Sequence, residues 1–330
     1  MGNLTNNVCR VCDSTSLGEP FIAREMMFGM RDEFKYVTCS DCSSAQIAAV
    51  PPDLSRYYPA DYYSFSTTGS DRKISLRERI IWKLISSRDM HALGKRSIVG
   101  AILCWLKRPS QNLVLFKKLK IKKSARILDV GCGGGALLDV LAAGGYTDLL
   151  GADPFIEREI TTSRGVKVLK RELQETPGVF DVIMLHHCLE HVGEPSKTLG
   201  VIRSKLSPDG VCIIRLPTTS SEAWERYGAN WVQLDPPRHL IIPSREGMAI
   251  MGDNNGLKLV ETIDDSSGFQ FWGSEQYLQN ISLVRNGITD RLDKPALTIS
   301  KQKLREFDHL AQDLNRSGRG DQAAFIYRRA

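Results

Sequence analysis

The sequence predicts an α/β fold, a parallel sheet flanked by helices, preceded by a small cysteine-bearing head and a block of basic helices. Three observations carry this. From Ala125 onward short apolar runs alternate with helical patterns, the arrangement of a parallel sheet. Two Cys-x-x-Cys pairs stand in the first fifty residues. Between these regions, residues 72–126 hold sixteen Lys or Arg against Glu78 and Asp89, a net +14 in a chain whose total is +6, so the remainder carries −8.

With 330 residues and an apolar fraction of 42%, one large domain with one or two small ones is expected. Met1 to Asn7 are polar and carry no apolar signal region, and Asn6 breaks the myristoylation pattern. No apolar run approaches the roughly 18 residues of a membrane span. Eight cysteines in a chain this long do not form a disulfide scaffold, which points to a reducing, cytoplasmic setting. The segments read as a metal-binding module over 1–50, closed by Pro51-Pro52, a linker and basic helical region over 51–123, a ligand-binding domain over 124–287, and a helical tail over 288–330.

In chain order, Cys9-Arg10-Val11-Cys12 and Cys39-Ser40-Asp41-Cys42 are two knuckles separated by 26 residues. Four thiolates complete a tetrahedral zinc shell with no open position, so the centre is structural, and the head resembles a zinc ribbon. An aromatic stretch, Tyr57 to Tyr63, and a polar linker, Ser64 to Arg72, follow. Residues 74–120 read as basic helices, with Ile80, Ile81, Leu84 and Ile85 at helical spacing. Strands are predicted at 126–130, 148–152, 166–169, 180–185, 210–216 and 257–263. Residues 270–285 fit a seventh strand or a helix equally, and the tail from about 298 reads as polar and helical.

The most informative stretch is Ile127-Leu128-Asp129-Val130-Gly131-Cys132-Gly133-Gly134-Gly135, a buried strand opening into a helix through glycines. The glycines permit a tight turn and close approach of a ligand to the backbone. Gly131, Gly133 and Ala136, with Asp153 about twenty residues on, also satisfy a nicotinamide-binding spacing. Asp129, two residues before the first glycine, favours a ligand with a positive ammonium over a pyrophosphate. Asp153 ends the second strand, where a carboxylate accepts both hydroxyls of a ribose. It also fits the N-cap of a helix over 155–163, with Pro154 at its first position.

Two histidine-bearing segments are the candidates for chemistry. Phe180 to His191 runs from the fourth strand into a helix and carries His186, His187 and His191. Its spacing does not match His-Glu-x-x-His, and Glu190 and His191 are expected to satisfy each other at the helix start. Asp235-Pro236-Pro237-Arg238-His239 follows Trp224, Tyr227 and Trp231. His239 is expected on a loop covering a substrate, whereas His191 is expected to be buried.

From 125 to about 265 the chain resembles class I S-adenosylmethionine (SAM)-dependent methyltransferases, on the segments ILDVGCGGG, GADP, FDVIMLHHCLEHV and LSPDGVCIIRLP. With the cysteine pairs, the likeness narrows to zinc-knuckle-bearing bacterial methyltransferases of sugar and polysaccharide biosynthesis. The resemblance implies a Rossmann-like sheet of seven strands and SAM as cofactor. It implies SAM contacts from Asp129, Gly131, Cys132, Gly133 and Gly135, with Asp153 at the ribose. Pro154, Phe155, Leu173 and His186 complete the set, Phe155 and Leu173 at the adenine. Some of these relatives are deoxysugar C-methyltransferases in which a Tyr-x-Glu-His segment after strand five supplies the base, and His239 falls at that histidine. Here Pro237 and Arg238 replace the neighbouring residues, and some 40 residues stand where those enzymes carry a long further domain. The preferred reading is O-methylation of a sugar or glycan hydroxyl, free or lipid-linked, with His239 as base and His187 and His191 as further catalytic candidates. C-methylation, RNA methylation, a non-catalytic scaffold and a nicotinamide enzyme stand as alternatives. Nucleic acid is disfavoured because few aromatics interleave the basic block; contact with an anionic membrane suits that block better.

Overall fold

The computed structural model describes residues 8–58, 76–107, 109–284 and 299–330. The aromatic stretch beyond Tyr58, the polar linker and the predicted boundary at 287/288 lie outside the described residues. Contacts divide the chain into two compact units, residues up to 63 with 185–330, and residues 64–184.

The head begins with β1 (Phe21–Arg24), β2 (Glu33–Thr38) and β3 (Ala45–Ile47), an antiparallel meander in which Phe21 faces Tyr36 and Tyr36 faces Ile47. The unit of residues 64–184 then opens with three helices, α1 (Leu76–Ala92), α2 (Ile98–Leu106) and α3 (Gln111–Lys118). The alternating part follows as β4 (Arg126–Val130), α4 (Ala136–Ala143), β5 (Asp148–Ala152), β6 (Ile160–Thr161), β7 (Lys167–Leu169) and β8 (Phe180–His186). The strands of this unit lie in the order β8-β4-β5-β7-β6. β4 and β5 are parallel with Asp129 beside Gly151 and Val130 beside Ala152, so their carboxyl ends finish level. Ile127, Leu128, Val168, Ile183 and Met184 are buried, as strands covered on both faces require. The helix expected over 155–163 is absent. The chain turns after Asp153 and makes β6, which pairs antiparallel with β7, because the Thr161-Thr162-Ser163-Arg164-Gly165 run favours a hairpin turn with Gly165 at positive φ.

The chain passes from one unit to the other within β8. There follow α5 (Pro195–Lys205), β9 (Leu206–Pro217), α6 (Glu222–Tyr227), β10 (Ile241–Ile242), α7 (Arg245–Asn254), β11 (Leu257–Asp264), α8 (Phe269–Leu278), α9 (Lys301–Ser317) and β12 (Gln322–Arg329). Residues 270–285, ambiguous in sequence, contribute α8. The tail is not wholly helical. β12 inserts antiparallel between β9 and β11, pairing Phe325 with Ile214 on one side and Thr262 on the other. All of Gln322 to Tyr327 are buried, which explains a near-continuous apolar run rather than a helical or alternating one. The α/β strands therefore number eight among the described residues, the extra one over the expected seven being the two-residue β6.

The head is not a separate bead. β10 pairs with β3 and completes a four-stranded sheet in the order β1-β2-β3-β10. Tyr36 and Ile47 share one core with Trp231, Leu240, Ile242 and Phe271.

Candidate functional site

In the unit of residues 64–184 the site is the turn after β4. Gly131, Gly133 and Gly135 all have positive φ. At Gly135 a Cβ would stand 2.8 Å from Thr162 Cγ2 and 3.0 Å from Val168 Cγ2, so neither the backbone angle nor the space admits a side chain. The Gly131 N–H donates to Ala152 O at 2.8 Å, tying the turn to the end of β5. Asp153 closes it, with Oδ2 accepting from the Gly133 N–H and Oδ1 from the Phe155 N–H, both at 2.8 Å. A carboxylate has about four acceptor positions, so each oxygen keeps capacity for a ligand hydroxyl.

Asp129 is buried, and burial together with the charge of Asp153 raises its pKa to about 8. A cation brought to this carboxylate would drive the proton off. Burial also pushes the Cys132 thiol up, so it is no nucleophile at neutral pH. Leu173 is buried in a 3-10 turn over Leu173–Glu175, Phe155 is 75% exposed, and Pro154 is partly exposed.

His186, expected with these residues, belongs to the unit of 185–330. Both its ring nitrogens are buried without a hydrogen-bond partner. Burial, then Arg215 and His187, lower its pKa to about 3, so its ring is neutral.

In that unit the chemistry gathers after β8. His187, at φ 51°, takes a hydrogen bond from Arg215 on Nε2, and its Nδ1 lies 3.3 Å from Glu190 Oε1. Both of its ring nitrogens are thus engaged. Arg215 is held in turn by Asp265. His191 donates from Nδ1 to Arg238 O at 2.9 Å, and His239 from Nδ1 to Gln233 O at 2.7 Å. Each ring thereby presents Nε2 as its acceptor nitrogen. The two rings stand 4.8 Å apart, centre to centre. Burial, then His191, lowers the His239 pKa to about 4. Glu190 is fully buried. Burial favours its neutral form, but the hydrogen bond from His187 and the nearby imidazoles outweigh that and hold it at about 2. Glu190, His191 and His239 each offer a ligand atom within 4.8 Å of the others, an arrangement able to take up a proton or hold a cation.

Three expectations change here. Glu190 and His191 do not form a private pair at a helix start; Glu190 faces three histidines from a 3-10 turn. His239 is the more buried of the two candidates, at 7% exposure. The segment expected to cover a substrate is itself anchored in the core: Trp231 is fully buried, its Nε1 donating to Asp321 Oδ2 at 3.1 Å. Arg238 explains the burial of His239. Its guanidinium, without solvent exposure, pairs with Asp235 and with Glu25 at 2.8 Å, while Glu25 also accepts from the Phe28 and Met30 N–H groups at 2.9 Å each. Tyr36 donates to His239 O at 2.7 Å. Glu25 and Arg238 stand 213 positions apart, and no local pattern links them. The unusual Asp-Pro-Pro-Arg run was the available signal.

Cys9, Cys12, Cys39 and Cys42 converge, with all four sulfurs within 4.8 Å of one another and no disulfide. Cys9–Cys42 and Cys12–Cys39 are each 3.6 Å apart, near the roughly 3.8 Å edge of a tetrahedron with metal–sulfur bonds of about 2.3 Å. Both knuckles turn alike. The Cys9 and Cys39 N–H groups donate to Ser14 and Ser44 carbonyls, and Asp13 and Ser43 occupy the left-handed region. The hydrogen bond from Cys9 holds the Cys42 thiol below the usual thiol range. The donor set is compatible with zinc. The second knuckle is keyed to residues 219–247 through Thr219 Oγ1 donating to Ser43 O (2.7 Å), the Ser244 N–H donating to Ser44 Oγ (3.0 Å), and Ser244 Oγ donating to Cys42 O.

A family model described as a methyltransferase domain matches residues 105–262. The chain is 32% identical over 134 residues to a ubiquinone biosynthesis O-methyltransferase of Azorhizobium caulinodans, covering 37% of this chain and 53% of that one. It is 30% identical over 169 residues to the protein of the same name from Aeromonas salmonicida, covering 47% and 67%. The chain thus spans about half the length of the first curated relatives it matches, and two thirds of the Aeromonas protein. Among solved structures, a SAM-dependent methyltransferase from Archaeoglobus fulgidus is similar at a TM-score of 0.40 and 19% identity, over 68% of this chain and 97% of that one. No helix among the described residues is long and apolar enough to cross a membrane. With its glycine turn, paired aspartates and matched domain, the chain belongs to the class I SAM-dependent methyltransferases.

Proposed function

We propose that this chain transfers the methyl group of SAM to a hydroxyl oxygen of a sugar or glycan. The observation that carries the reading is the turn after β4, where a buried carboxyl, Asp129, precedes glycines at positive φ, of which Gly135 has no room for a side chain. Asp129 would meet the ammonium of SAM, the amides of the Gly131–Gly135 turn its carboxylate end, and Asp153 the ribose hydroxyls. Phe155 and Leu173 would flank the adenine, with Cys132 and Pro154 packing around it. Oxygen as the acceptor atom is supported by relatives named O-methyltransferases. The glycan class is supported by the cysteine head, through the likeness to zinc-knuckle-bearing sugar methyltransferases. We further propose that Cys9, Cys12, Cys39 and Cys42 hold one structural zinc.

The chemistry balances simply. SAM supplies an electrophilic methyl carbon on a sulfonium. The acceptor O–H would give its proton to a histidine base, which we assign to His239 through Nε2, as its oxygen bonds to that carbon, and the C–S electron pair would return to sulfur. The proton then leaves to solvent. In-line positioning supplies much of the rate.

Calorimetry and product mass spectrometry test this. SAM is expected to bind in the micromolar range, about −8 kcal/mol. Because Asp129 is largely protonated at pH 7 before binding and the ammonium favours its charged form, binding should release up to one proton, and affinity should climb as pH rises toward 8. Titration in buffers of different ionisation enthalpy reads that release, and Asp129→Asn should abolish it. Absent SAM binding, or tighter binding of NAD, would refute the cofactor. With labelled SAM, transfer to a sugar nucleotide or lipid-linked glycan supports the acceptor. Transfer to ubiquinone precursors alone would move it to the chemistry that the relatives' names carry.

A further inference from the structure

We infer that the α1–α2 hairpin is a docking surface for an anionic lipid bilayer. α2 is built wholly of Ile98-Val99-Gly100-Ala101-Ile102-Leu103-Cys104-Trp105-Leu106, without one charge. Gly100 is its contact point with α1. A Cβ there would fall 2.5 Å from Ser87 O and 2.6 Å from His91 Cβ, so only glycine lets the helices approach this closely. That approach buries Gly100 and turns the apolar side chains outward. Ile98, Ile102 and Trp105 stand at i, i+4 and i+7, flanked by Val99 and Leu106. Ile98 is 83% exposed and Trp105 84%, and Val99, Ile102 and Leu106 are each more than half exposed. α1 adds Ile80, Ile81, Leu84 and Ile85, also exposed. Nine exposed apolar side chains on two packed helices mark a binding surface rather than ordinary scatter.

Its occupant follows from charge. Lys83 lies on α1, Lys95 and Arg96 in the turn that enters α2, and Lys107 just past its end, all exposed. The surrounding block, residues 72–126, carries +14 overall. Apolar residues and a tryptophan rimmed by lysines suit the boundary between acyl chains and anionic headgroups, where aromatic rings settle and lysine stems reach outward. A protein partner would be expected to bring carboxylates to such a rim but would not need nine apolar side chains unpaired in the free chain. At nine residues α2 lies on a bilayer and does not span it.

The test is co-sedimentation of the full chain with vesicles of phosphatidylcholine alone and with added phosphatidylglycerol. Binding is expected only to the anionic vesicles, falling steeply with salt. Trp105→Ser with Ile102→Ser, and separately Lys95→Glu with Arg96→Glu, should each weaken partitioning by about tenfold or more while circular dichroism and melting stay as in the parent. The charge pair guards against a folding defect in the apolar one. Equal binding to both vesicles, or binding to neither, overturns the proposal. So does a dimer in vesicle-free solution that Trp105→Ser dissociates, which would make the face a self-interface. Salt-sensitive retention on RNA in place of vesicle binding would assign the basic block to nucleic acid instead.

Discussion

His239→Ala is expected to lower kcat by about 10²- to 10⁴-fold, the usual cost of removing a general base. SAM affinity should barely change, because the residues proposed to bind it lie on the turn after β4. The hydrogen bond from Nδ1 to Gln233 O fixes which nitrogen accepts the proton. The depressed pKa sets the pH dependence. A base must be unprotonated, and His239 gains its proton only as pH falls through about 4. With SAM kept saturating, activity is therefore expected to persist at pH 5 to 6 and to fail near 4, rather than at the roughly 6.5 of an unshifted histidine. An acid limb at 6.5, or more than half the activity surviving in His239→Ala with the true acceptor, would exclude His239 as the base. His191, its ring neighbour, would be the next candidate. Loss of activity on chelation while the cysteine centre keeps its metal would instead assign Glu190, His191 and His239 to a bound cation.

The second large effect is expected from Cys42→Ser. A structural four-thiolate zinc contributes on the order of 10 kcal/mol at neutral pH, comparable to the whole stability of an ordinary domain. On sequence, Pro51-Pro52 would confine the damage to the head. The structure argues otherwise, since β10 completes the head's sheet and Ser244 reaches the Cys42 carbonyl. Arg238, with Asp235 and Glu25, adds a buried ion pair whose loss of one partner typically costs about 3–5 kcal/mol. Hydrogen exchange should accordingly accelerate at residues 36–47 and 239–247 together in Cys42→Ser. Fast exchange confined to the head, with 239–247 still protected, would contradict this coupling, and elemental analysis finding no zinc in fresh protein would reject the metal itself.

What could be read beforehand was local. β4, β5 and β8 fell within a residue of their expected bounds, because strands buried on both faces are apolar runs and the glycine turn marks where β4 ends. The four cysteines found one another as their spacing required. What escaped was nonlocal. Glu25 carries no mark that it awaits Arg238, and the burial of His239 depends on Tyr36 in a strand two hundred residues earlier. Asp153 looked like a helix cap because a cap and a turn-closing acceptor need the same carboxylate, and only the hairpin that follows distinguishes them. β12 was hidden because its apolar run follows directly on an amphipathic helix, whose periodicity invited extension through it.

The position of β12 also governs the order of events during synthesis. β9 and β11 leave the ribosome with facing edges, yet neither bonds to the other in the native chain; each waits for residues 322–329. The Ile214–Phe325 pairing closes a loop of about a hundred residues, a slow step that no earlier contact can replace. Until then two unpaired strand edges stand open to other chains. A ribosome stalled anywhere before residue 322 would hold a nascent chain whose β9 and β11 could not finish pairing, so yield in the cell should depend on chaperone supply and on translation running through β12.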